Sequence, residues 1–150
     1  MTAILGENEI ISSREFDFPR EQVYEAWTNP DLLARWWGPK GFTNTFHEFD
    51  CKPGGTWRFV MHGPDGVDYP NHSVFEEVVP VERIVLRHLS DHEFLVRATF
   101  EDLGGRTKLT FRQKFMNEAD FEQAKPYCIE GNEQNFDRLN ALLNEVNGKM

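Results

Sequence analysis

Basic charge is scarce in this sequence. Sixteen lysines and arginines face 25 aspartates and glutamates over 150 residues, a formal net charge of −9. Surfaces that hold nucleic acid or an anionic bilayer gather basic patches, so neither a nucleic-acid nor a membrane partner is expected. Cysteine is scarcer still. Cys51 and Cys128 stand at no metal-ligand spacing and are too few for a disulfide framework. The expected setting is therefore a reducing one, the cytoplasm. No apolar run approaches the roughly twenty residues that a bilayer requires. The start, MTAILGENEI, lacks the basic beginning and long apolar stretch of a secretory leader. Repeats, low-complexity tracts and linkers are missing. So are a nucleophile elbow, an HExxH pair and a Walker sequence. His62, His72, His88 and His92 form no paired ligand spacing. No metal and no cofactor is expected.

Rings, by contrast, are abundant. Thirteen Phe and four Trp occur in a chain that is 39% hydrophobic and 13% aromatic. That composition specifies a folded globule, and 150 residues suit a single domain over 1–150. The rings fit either of two uses: plain core filling, or a wide interior lined around a ligand.

The chain is organised around its last long helix, expected over about Pro126–Val146. Phe136, Leu139, Leu143 and Val146 fall on one stripe of a 3.6-residue helix, and Glu133, Asp137, Asn140 and Asn144 on the other side. Asn117 is placed to cap a preceding helical segment, which Pro126 kinks or separates from the long helix. Upstream, Glu9–Asp17 reads as a first strand. Two short helices follow, the first begun by Pro19 and the second by Pro30, and Gly38-Pro39 stops the pair. The middle is sheet, with runs at Phe42–Cys51, Trp57–His62, Tyr69–Val79, Arg83–Leu89, Phe94–Glu101 and Thr107–Phe115. This order predicts an α+β fold: a curved antiparallel sheet of six to seven strands wrapped around the long helix. His47, Phe49 and Cys51 share one strand face, and Trp57, Phe59 and Met61 share the facing side of the next strand. The Pro53-Gly54-Gly55 turn makes these two strands neighbours.

The runs Arg35-Trp36-Trp37-Gly38-Pro39-Lys40-Gly41-Phe42 and Pro53-Gly54-Gly55-Thr56-Trp57-Arg58-Phe59 resemble the SRPBCC or START-like superfamily. The nearer likeness is to the branch homologous to the activator of the ninety-kilodalton heat-shock-protein ATPase. Phe75-Glu76-Glu77-Val78 and Phe136-Asp137-Arg138-Leu139 fit the same pattern. The resemblance implies a helix-grip fold, with a cavity between a seven-stranded sheet and the C-terminal helix. It also implies one of three roles: binding of hydrophobic small molecules, a cyclase or hydrolase reaction, or association with a chaperone in the stress response. A monomer or homodimer is implied as well. The family often carries an aromatic after the glycine that opens the long helix; here Gly131 is followed by Asn132, which predicts a wetter cavity mouth.

The candidate site follows. A small hydrophobic or aromatic ligand is expected between sheet and helix. From the short-helix pair and first strands the wall takes Trp37, His47, Phe49, Trp57, Phe59 and Met61. Phe75, Phe111 and Gln113 complete the sheet side, with Asn132 and Phe136 from the helix. His47, Gln113 and Asn132 are the orienting polar groups, and His47 is the candidate acid or base if the cavity is catalytic. Trp36 and Trp37, about 100° apart on a helix, divide between core and cavity.

Overall fold

The computed structural model of the chain describes residues 4–89 and 93–147, so His92 lies outside the described residues. Strands β1 (Ile4–Gly6) and β2 (Glu9–Phe16) come first, then helices α1 (Arg20–Thr28) and α2 (Pro30–Trp36). Six strands follow: β3 (Thr43–Phe49), β4 (Thr56–His62), β5 (Asp68–Val79), β6 (Arg83–His88), β7 (Phe94–Asp102) and β8 (Thr107–Phe115). Helix α3 (Glu118–Val146) closes the chain.

Local chemistry sets the helix starts. Pro30 occupies the first turn of α2, where a missing N–H costs nothing, and the Asn29 side chain accepts from Asp31 N at 3.0 Å. Asn117 caps α3 in the same way, accepting from Asp120 N at 2.8 Å. Pro126 neither ends nor divides that helix; α3 runs as one element of 29 residues with the proline inside it. The lost N–H donor is outweighed by burial on both sides of it. Phe121 packs with Ile10 and Phe115 before the proline, and Phe136, Leu139 and Leu143 pack after it. Gly131 therefore lies within the helix instead of opening it.

Every neighbouring strand pair is antiparallel, in the order β1-β2-β8-β7-β6-β5-β4-β3. The expected helix-grip arrangement is present, with the three-residue β1 added at one edge. The helix pair carries the chain from β2 near one edge to β3 at the other, and β8 returns to lie beside β2. Register shifts at Phe46/Glu48 in β3 and Phe75/Glu77 in β5 mark bulges, which bend the sheet around what it covers. On α3 the stripe of Phe136, Leu139, Leu142 and Leu143 is buried, whereas Val146, at the helix end, is 41% exposed. Arg14 of β2 holds the polar flank, pairing with Glu133 at 2.8 Å and Asp137 at 2.7 Å.

Candidate functional site

The segment after α2 is the lip of the site. Gly38 adopts φ +103°, a backbone conformation that a side chain would strain, and lies close enough to β4 that a Cβ would meet Met61 Cε at 2.7 Å. Successive turns of α3 hold this loop. Asn135 Oδ1 accepts from Gly38 N at 2.7 Å, and Gln134 Oε1 accepts from Lys40 N at 3.0 Å. Arg138 donates to the carbonyls of Gly38 and Pro39 at 2.9 Å, of Phe42 at 2.9 Å and of Arg35 at 3.0 Å. No carboxylate pairs with Arg138 among the described residues. Its charge is neutralised only by carbonyl dipoles, and burial pushes its pKa down.

Beneath this lip lies a cavity of about 250 Å³. Trp37, Gly38 and Pro39 form one side, and Trp57, Phe59 and Met61 of β4 the next. Leu86, Phe94, Val96 and Phe111 make the floor from the central strands. Tyr127, Cys128, Gly131 and Asn132 close it from α3, with Tyr127 77% exposed at the mouth. The rings interlock: Trp37 meets Trp57 at 5.2 Å and Trp27 at 5.5 Å, and Trp57 stacks on Phe59 at 4.4 Å. Trp36 is buried in the core, its indole N–H donating to Ala26 O at 2.9 Å, while Trp37 turns to the cavity. The adjacent tryptophans thus divide as expected.

Polar groups are few. Gln113 and Asn132, each 6% exposed, sit at the α3 side, where Asn132 Nδ2 donates to Gln113 Oε1 at 2.8 Å and to Ser12 Oγ at 3.4 Å. Cys128 lies beside Gln113; burial pushes its thiol pKa up, and the hydrogen bond to Gln113 opposes that only in part. Across the cavity, Ser73 and His88 reach the wall. His88 Nε2 lies 2.8 Å from Asn71 Oδ1, and its ring stacks on Phe94 at 4.4 Å. Among the described residues no lysine, arginine, aspartate or glutamate lines the cavity.

Of the residues expected in the wall, Trp37, Trp57, Phe59, Met61, Phe111, Gln113 and Asn132 stand there. His47 does not. The β3 bulge spends one residue without a partner, so Phe46 and Phe49 both turn inward while His47 and Glu48 face solvent. His47 lies instead in a shallow groove on the outer sheet face with Arg58, Pro70 and His72. It is neither an orienting group nor an acid or base for the cavity; His88 is the histidine that reaches it. Phe49 and Phe75 pack behind Trp57, at 5.8 and 6.3 Å, and do not line the cavity. Phe136 lies below it, edge-on to Phe16 at 6.1 Å. Sequence reading missed Ser73, His88 and Phe94, which line the cavity. The alternation Ser73–Phe75 and His88–Leu86 carried a signal for two of these, since each polar residue shares a face with an apolar one.

One further constellation faces the other way. Thr45 Oγ1 and His62 Nε2 are 2.7 Å apart, and His62 Nδ1 and Asp68 Oδ1 are 2.7 Å apart. His62 follows the inward Met61, so by strand alternation this chain stands on the outer face, where it ties together β3, β4 and β5. Among the described residues no group of three His, Cys, Asp or Glu is placed to hold a metal ion. Among the described residues no helix is long and apolar enough to cross a membrane.

Solved structures share this architecture. A protein of Arthrobacter aurescens superposes with a TM-score of 0.89 at 22% identity, covering 96% of this chain and 91% of that one. One from Nitrosomonas europaea gives 0.88 at 22% identity, covering 97% and 99%. One from Chromobacterium violaceum gives 0.83 at 27% identity, covering 91% and 96%. No curated protein matches significantly. The family profile described as "Activator of Hsp90 ATPase homolog 1-like protein" matches residues 17–144, from the end of β2 to the last turn of α3. That match spans well over half of the chain, so the chain belongs to the Activator of Hsp90 ATPase homolog 1-like family.

Proposed function

We propose that this protein binds a small, ring-containing apolar molecule in the cavity between the sheet and α3. The observation that carries this reading is the void itself: about 250 Å³ in an otherwise close-packed aromatic core, walled by rings and free of charged side chains. A dry apolar void of about 150 Å³ accepts benzene, so this one has room for a molecule of one or two rings. Burial of its apolar surface supplies the affinity, and the few polar groups orient it.

The four tryptophans make a direct test, because Trp37 and Trp57 line the void and Trp27 and Trp36 contact Trp37. One- and two-ring compounds titrated into the protein should change the intrinsic fluorescence saturably. Bound compound should also shield Cys128, which lines the cavity, from alkylation while leaving Cys51 unshielded. A broad set of such compounds with no saturable response would end this reading. The second reading is action on a chaperone, which the family description favours. It is tested by adding the protein to an Hsp90 ATPase assay; stimulation that persists when the cavity is filled by Ser73→Phe would assign the activity to another surface.

A further inference from the structure

We infer that the ligand of this cavity is uncharged and carries a hydrogen-bond donor and acceptor side by side, as a lactam or carboxamide does. The inference rests on the cavity reading above and concerns its polar end. Gln113 and Asn132 are buried to 6% exposure, and both line the void. Their mutual bond at 2.8 Å uses the Gln113 oxygen and one Asn132 N–H, and the second Asn132 contact runs to Ser12 Oγ at 3.4 Å. Two functions are left over. One N–H of Gln113 Nε2 is spent on the Cys128 thiol; among the described residues no group accepts from its second N–H, and none donates to Asn132 Oδ1. Neither atom is among the enclosed unpartnered ones, which are Trp27 Nε1, Asn44 Oδ1, Trp57 Nε1 and Glu133 Oε2. Both therefore open on the void. Exchanging nitrogen and oxygen in both amides swaps the residues but leaves the same pair, one donor and one acceptor.

A buried donor and acceptor that lack partners each carry a desolvation cost, which a ligand removes by pairing with them. A plain hydrocarbon would leave both unpaired. A carboxylate would satisfy the donor, but it would set its charge against the Asn132 oxygen with no cationic lysine or arginine on the wall. A lactam presents a C=O and an N–H on the same edge and adds no charge. The rings of Trp57, Phe59 and Phe111 then receive its flat apolar body.

A matched set of two-ring compounds tests this by calorimetry or fluorescence: isoquinolin-1(2H)-one, its N-methyl derivative, naphthalene and 1-naphthoate. The lactam should bind about tenfold or more tightly than each of the others, the gain expected from two hydrogen bonds of ordinary net strength. In the double variant Gln113→Leu/Asn132→Leu that preference should vanish while naphthalene still binds. If the wild type binds the lactam and naphthalene within about twofold of each other, or prefers the carboxylate, the inference is overturned and the cavity reading stands. If none of the four binds, the cavity reading itself fails. Should the double variant not fold, the wild-type comparison alone decides.

Discussion

Leu139 is 0% exposed and belongs to the main core cluster between α3 and the sheet. Leu139→Ala should therefore cost about 2–5 kcal/mol, read from urea unfolding. A variant that unfolds with the wild type would show that this stripe is not the core. The cysteines give a residue-scale prediction in pH. Burial, then the neighbouring Asp50 carboxylate, push Cys51 from 9.0 up to about 11, and burial raises Cys128 too. Both are neutral thiols at pH 7, so iodoacetamide should modify the native protein slowly and the urea-unfolded chain fast. A folded pKa above the unfolded one means that the Cys51 contribution to stability is fully present below about pH 9 and is lost as pH rises through about 11. Alkylation of native Cys51 at the rate of a free thiol at pH 8 would contradict this.

At the scale of the elements, α3 does more than cover the sheet, because it holds the Trp37–Phe42 loop through Gln134, Asn135 and Arg138. Arg138 spreads one planar guanidinium over several carbonyls, a geometry that an ammonium with three donors cannot reproduce. Arg138→Lys should lower stability by about 1–3 kcal/mol, and amide exchange at Gly38 and Lys40 should quicken. Unchanged protection at those two amides would mean that the loop holds itself. Apart from the three-residue β1 and the unbroken run of α3 through Pro126, element types and order were legible in the sequence. Alternation at Thr107–Phe115 runs unbroken, and Asn29-Pro30 and Asn117 are local signals that act where they stand. Two of the departures share a physical cause. Pro126 looked like a boundary because its cost is local, whereas the packing of Phe121 and Phe136 that keeps α3 continuous involves distant strands. His47 looked inward because alternation was carried through a residue that the bulge leaves unpaired.

For the molecule as a whole, the void is what remains when a bent sheet meets a single helix across a layer of rings. Its occupation should be felt globally, since a ligand bound only to the folded state stabilises everything that folds with it. A ring compound held at a hundred times its Kd should add about 2.7 kcal/mol to unfolding and raise the Tm. A compound that quenches the tryptophans without moving the Tm would be binding folded and unfolded chains alike. The sequence by itself determined the elements, their order, the apolar faces and the ring-rich interior, because period and punctuation are written residue by residue. Only the tertiary structure decided the phase of β3 beyond its bulge, and which rings line the void and which pack behind Trp57. It alone brought Gln113 of β8 against Asn132 of α3. A cavity is volume that no segment fills, so it exists only once all the segments are in place.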